Sequence, residues 1–383
     1  MQTSLERELA DARCRTDELF QIVDPRAIYE RPIAERHRII FYLGHLEAFD
    51  WNLLGRYALD LPQFHSSFDR LFAFGIDPEA GGLPSDQPSD WPGVAEVEQY
   101  GRRTREVLDE SIANIPDKLL HAAIEHRLMH AETLAYILHH LPSDSKLAPL
   151  IPPLPRAQQP ESRFVDIPAG VAKLGRTEEE GFGWDNEYQA NSALVPAFTI
   201  SKYKVTNGEY LEFVREGGLV PYFWIHRDSQ WFYRGMFGDI PLPDDWPVYV
   251  TKCQAEEYAR WRGGTLPTEA QFHRAAAGVA ASTNTDFRFW DPIPVTGDHS
   301  MTHQPAQLTG NGWEWTSTVF GPFPGFEPFP FYENYSAPFF DGAHYVLKGG
   351  SPRTAARLLR PSFRNWFRPS YPYIYATFRL VGS

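Results

Sequence analysis

Cysteine is nearly absent from this chain. Only Cys14 and Cys253 occur in 383 residues, which excludes a disulfide framework and a thiolate-rich metal site and fits a reducing, cytoplasmic setting. Positive charge is scarce as well: 36 Lys and Arg stand against 49 Asp and Glu, a formal net charge of -13. Extended nucleic-acid contacts need clustered cations that displace counterions, so no nucleic-acid partner is expected, and a cationic or zwitterionic small molecule is an easier ligand. Long apolar runs are missing too. Nothing approaches the roughly 18 uninterrupted apolar residues of a membrane span, and the opening MQTSLERELADARCRT mixes both charge signs where a secretory signal would be apolar. What the chain has in excess is rings: 27 Phe, 18 Tyr and 11 Trp make up 15% of it, the mark of a globular protein with aromatic surfaces or pockets.

The length predicts two domains. Up to about residue 141 the apolar pattern has a period near 3.6 and predicts helices over 3–22, 33–58, 93–113 and 117–140. Between the second and third lies LPQFHSSFDRLFAFGIDPEAGGLPSDQPSDWP, rich in Gly, Pro and Asp, which reads as a long irregular loop, and such loops are often functional. LAPLIPPLPRAQQP at 147–160 carries five prolines and reads as a stiff linker. It divides a helical domain, 1–146, from a second domain, 161–383. Beyond it the pattern changes to short strands and turns with a few short helices, such as 206–216 and 252–262, an α+β class overall.

In IEHRLMHAETLAYILHHLP, His126 and His130 stand four residues apart, so on a helix their rings leave one face a turn apart. His45 in FYLGHLEAFDW lies on another predicted helix, and facing helices are where bundle metal sites form. The same spacing also fits a solvated or hydrogen-bonded face. His139 and His140 complement the negative pole of the helix end, and no role is assigned to His37 or His121. Imidazoles suit Fe, Zn, Ni and Cu alike. Three protein ligands would leave positions open, as a catalytic site requires.

The second domain carries FVDIPAGVAKLG at 164–175, FGWDNE at 182–187, PAFTISKYKVTNGEYLEFV at 196–214, GGTLPTEAQFHRAA at 263–276, GNGWEWT at 310–316 and VLKGGS at 346–351. Together these resemble the formylglycine-generating-enzyme-like fold, a variant of the C-type lectin fold. Joined to a DinB-like four-helix bundle, the domain resembles the ergothioneine sulfoxide synthase family, whose iron is bound by three bundle histidines. That resemblance implies Fe(II) on His45, His126 and His130, with O2 as co-substrate. It also implies oxidative coupling of a chalcogen donor to imidazole C2 of hercynine, the trimethylated betaine of histidine. By the match of RPSFRNW at 360–366, Asn365 and Trp366 would contact the betaine, the Trp face attracting its quaternary ammonium by about 0.5–2 kcal/mol. Tyr332 and Tyr335 are candidates for the catalytic tyrosine.

The donor side departs from that family. Where its members commonly carry Asp and, four residues on, Arg, this chain has Phe367 and Tyr371; where they often have Gln, it has Met129. Their Arg-Gly-Leu-Leu-Ser-Arg-Pro phrase, which supplies an Arg for the donor carboxylate, corresponds to GGLPSDQP at 81–88, and no Arg lies between Arg70 and Arg102. A site without a guanidinium lacks bidentate carboxylate recognition. The expected donor is therefore a selenosugar or thiosugar bound on aromatic platforms, as in the related selenoneine synthases, with SYPYIYATFR at 370–379 and PFPGFEPFPFYENYS at 322–336 offering such a surface. The alternatives are a sulfoxide synthase using cysteine or γ-glutamylcysteine, a metal-dependent DinB-type thiol transferase, and a binder without catalysis. A formylglycine generator is excluded, because both cysteines precede residue 254.

Overall fold

The structure, a computed structural model, describes residues 4–75, 83–149, 155, 157, 160–161, 163–278, 283–296 and 304–382. The chain divides into two units, Met1–Pro149 and Leu150–Ser383; most of the Pro-rich linker, and Gly81 and Gly82 of GGLPSDQP, lie outside the described residues.

The first unit contains α1 (Ser4–Phe20), α2 (Ile39–Asp50), α3 (Ser66–Phe74), α4 (Val94–Ser111) and α5 (Asp117–His139). In α1 the apolar stripe is legible: Leu9, Ala12 and Leu19 are buried, with Thr16 between them, on one face of a 3.6-residue period. α5 is buried on nearly its whole circumference, as the central helix of a bundle must be. One guanidinium fastens the bundle. Arg127 on α5, fully buried, donates to Glu47 (2.9 Å), to Asp50 (2.6 Å) and to the Leu46 carbonyl (3.1 Å). Arg105 on α4 reaches Glu47 (2.7 Å) and Asp17 on α1 (2.7 Å).

Two sequence expectations fail here. The second helix was expected from 33 but begins at Ile39, because the preceding segment folds back to serve its end: Ile39 N–H donates to the Glu30 carbonyl and Ile40 N–H to that of Ile28, in place of a side-chain cap. After Asp50 it continues as a π-helical stretch, Trp51–Ala58, of the kind often found at functional sites. The stretch expected to be an irregular loop contains α3. The His65 ring caps it by accepting the Phe68 N–H, Phe72 packs with no exposure, and Gly75 ends it at φ 74°. The Gly- and Pro-rich composition that hid this helix is concentrated after Phe74.

In the second unit α6 (Asn207–Arg215), α7 (Lys252–Trp261) and α8 (Glu269–Ala276) each start on a capping box, Thr206 with Glu209, Thr251 with Gln254 and Thr268 with Gln271. α8 was not expected. Strand Phe164–Ile167 pairs with Phe198–Ser201, which pairs with Val381–Gly382 and so brings the chain's end beside the domain's start. A second sheet runs in the order 365–367, 345–348, 313–319, 376–377. Buried within its strand 313–319, Glu314 accepts from Lys204 (2.7 Å) and Arg379 (2.8 Å). No helix among the described residues is long and apolar enough to cross a membrane.

Candidate metal centre

His45 on α2 and His126 and His130 on α5 converge, each offering one nitrogen within 4.8 Å of the others. His126 is buried, while His45 and His130 are partly exposed. The Nε2 atoms of His45 and His130 lie 3.2 Å apart, the separation of two ligands sharing one ion when metal–nitrogen bonds are about 2.0–2.1 Å. Phe49 lies flat on the His126 ring at 3.4 Å and Phe41 stacks on His45 at 4.8 Å, so aromatic neighbours restrict both rings.

Two observations test the fit to a metal. Nδ1 of His45 is 2.7 Å from the Phe72 carbonyl; a carbonyl only accepts, so Nδ1 carries the proton and Nε2 presents its lone pair to the centre. Burial also holds the rings neutral. His45 is pushed down to about 4, mainly by desolvation, and His126 and His130 fall well below the usual range for the same reason, each helped by repulsion from a neighbouring histidine of the triad. Neutral imidazoles, one of them with its tautomer set by a carbonyl, are what a divalent ion needs, so the residues fit the group.

In the second unit the candidates fall into two clusters. Trp366 stacks on Phe320 at 4.3 Å and meets the edge of Tyr335 at 5.4 Å. Tyr335 in turn stacks on Trp184 at 4.2 Å and lies 5.5 Å from Tyr332. The FGWDNE segment holds both strips of chain: Asp185 accepts from Ser336 (2.6 Å), and Glu187 accepts from Ser362 (2.6 Å) and Arg360 (2.8 Å). Burial, with Asp185 close by, pushes the Tyr332 phenol up to about 12, so it stays protonated at neutral pH. Phe367 belongs elsewhere. It stacks on Tyr371 at 5.3 Å, and Tyr371 meets Tyr373 edge-on at 5.1 Å. Successive strand residues face opposite ways, which separates Trp366 from Phe367. Asn365 lies at the start of that strand, accepting from the Trp366 N–H at 2.9 Å.

Residues 8–142 match the DinB superfamily, and 150–300 with 285–383 match the sulfatase-modifying factor enzyme 1-like domain. The hercynine oxygenase of Mycolicibacterium smegmatis is 30% identical over 99% of this chain and 98% of its own. The chain belongs to the hercynine oxygenase family. The hercynine oxygenase of Mycolicibacterium thermoresistibile is 29% identical over 98% of this chain and 94% of its own. Ergothioneine biosynthesis protein 1 of Neurospora crassa is 26% identical over 94% of this chain but 55% of its own length, so the chain spans about half of that fungal relative.

The described part of GGLPSDQP is pinned by a buried charge cluster. Asp86 of GGLPSDQP is buried and takes the guanidinium groups of both Arg31 and Arg38, the latter at 2.9 Å, with Trp91 Nε1 donating at 2.7 Å. A carboxylate at this place turns two nearby cations inward. Sequence reading missed Phe72 and Phe49 around the triad; aromatic residues near each ligand were visible, but a backbone carbonyl as partner had no signal. It also missed the Arg31–Asp86–Arg38 cluster.

Proposed function

We propose that this protein is an iron(II), O2-dependent oxygenase that couples a chalcogen donor to imidazole C2 of hercynine. The observation that carries the reading is the His45–His126–His130 triad, held neutral by burial and with the His45 tautomer fixed by the Phe72 carbonyl, in a chain aligned end to end with a hercynine oxygenase. With a thiol donor the balance is hercynine C–H plus R–SH plus O2 giving the C–S(=O)–R sulfoxide plus water. His45, His126 and His130 would hold iron(II), which would supply O2 activation when bound. The chain's own residues do the rest. Trp366, one face covered by Phe320, offers the other to the trimethylammonium; Asn365 orients the betaine, and Met129, next to His130, lines the imidazole side without a hydrogen bond to give. Tyr332, protonated at neutral pH, serves as proton donor, and Tyr335 buttresses Trp366.

The relatives' names, hercynine oxygenase and ergothioneine biosynthesis protein 1, favour a sulfur donor, with cysteine or γ-glutamylcysteine as the candidate thiols and a sulfoxide as the product. A selenosugar or thiosugar is a second reading. One observation favours it: the stacked Phe367–Tyr371 pair stands where an Asp–Arg clamp is usual, and Asp86 occupies Arg31 and Arg38. An amino acid donor there would leave charge unpaired, which costs several kcal/mol.

Anaerobic reconstitution with Fe(II), then hercynine, O2 and a panel of cysteine, γ-glutamylcysteine and a glycosyl selenol or thiol, with mass spectrometry of products, tests both readings. Efficient coupling to γ-glutamylcysteine alone removes the sugar reading; a preference of roughly a hundredfold in kcat/KM for the glycosyl donor establishes it. Full activity without O2 on Zn would instead make the protein a thiol transferase.

A further inference from the structure

We infer that α3 is the device that orients the metal ligand His45, with Tyr100, Asp69 and Gly44 as its positioning residues. The inference rests on the metal-binding reading of the triad. A helix leaves its last carbonyls without intrahelical donors and gathers partial negative charge at that end. In α3 the Leu71 carbonyl accepts the Gly75 N–H, and the Phe72 carbonyl accepts His45 Nδ1–H at 2.7 Å. A helix C-terminus behind the imidazole fixes its rotation and raises the basicity of Nε2, as outer partners of ligating histidines do.

Three contacts hold α3 at that distance. Asp69, three residues before Phe72 and so on nearly the same face, is buried and accepts the Tyr100 hydroxyl from α4 at 2.8 Å. Its backbone carbonyl accepts from Asn52 of the π-helical stretch at 3.2 Å. Gly44, the residue before the ligand, makes the approach possible: a Cβ there would stand 2.4 Å from the Phe72 ring. His126 and His130 both ride on α5, whereas α3 packs on α2, which carries His45, so loosening α3 should free one ligand and leave two.

Anaerobic Co(II) titration of the full chain, read by ligand-field absorption, tests this. Tyr100→Phe should lower Co(II) affinity about tenfold to a hundredfold and shift the absorption bands, and Gly44→Ala should do the same or more. In a His45→Ala background Tyr100→Phe should cause no further loss, which a general loss of stability would not reproduce. Asn52→Ala, which removes the hydrogen bond to the Asp69 carbonyl, should give a smaller loss in the same direction and serves if Tyr100→Phe melts below the assay temperature. Wild-type affinity in all of these variants, or equal losses with and without His45, overturns the inference. Failure of the unaltered protein to bind Co(II) would overturn the metal reading itself.

Discussion

The buried charge clusters around Arg127 in the helical unit and around Glu314 in the second unit are built in opposite ways. In the helical unit one cation, Arg127, spans two carboxylates, Glu47 and Asp50, and only Glu47 has a second close guanidinium, Arg105. In the second unit one carboxylate, Glu314, is shared by two cations, Lys204 and Arg379, at 2.7 and 2.8 Å. The first arrangement has a single point of failure and the second is redundant. The first cluster lies beside the histidine triad in sequence, Arg127 directly after His126 and Glu47 two residues after His45. The second unit uses its buried pairs to pin strips of chain that have no helix to hold them.

The sharpest way to break this comparison is to ask which unit holds the metal. His126→Ala with His130→Ala should remove all bound iron, because only one protein ligand would remain, while Trp366→Ala should leave the metal content unchanged. Metal analysis of purified protein decides it, and iron retained by the double variant would refute the triad.

Next in size is the test of redundancy. Arg127→Met leaves Asp50 with only a 3.9 Å approach from Arg13 and should cost about 3–5 kcal/mol. Lys204→Met leaves Glu314 paired with Arg379 and should cost roughly 1–2 kcal/mol. Urea unfolding followed by circular dichroism measures both, and equal costs would end the contrast.

Acid separates the units in a third way. Burial raises Asp185 in the second unit to about 6, so the folded state binds its proton more tightly than the unfolded chain. The stability this contributes is present below the unfolded value of about 4 and is lost as pH rises through 6, on the order of 2 kcal/mol. Burial opposes ionisation of Glu47 in the first unit, but Arg127 and Arg105 outweigh it and hold the carboxyl at about 2. Its contribution is present above about 4.5 and lost as pH falls toward 2. Asp185→Asn should therefore flatten the stability profile between pH 4 and 6 and leave the decline below pH 4 in place; an unchanged slope would assign it to another group.

The smallest effect concerns the two faces of the strand 365–367. Trp366→Ala should raise the apparent KM for hercynine by roughly 3- to 30-fold, the worth of a cation–π contact, with little change for the donor, and Tyr371→Ala should do the reverse. Equal effects on both substrates would mean that the strand, and not a face of it, was disturbed.

The sequence alone determined the parts that repeat over short distances. Helical periodicity is local, so four bundle helices were legible, and an i, i+4 pair such as His126 and His130 must share a face wherever its helix goes. The phrases of the second unit were legible only as a resemblance, since their strands are two to seven residues long and too short for a period to declare itself. Tertiary structure decided the rest. It placed Asp86 against Arg31 and Arg38, 55 and 48 residues away, and it set Trp366 and Phe367 in separate clusters. It also made the first part of the expected loop a helix whose Phe72 carbonyl meets His45 Nδ1. Every residue carries that same carbonyl, so no residue type marks which one will matter; only the path of the chain selects it.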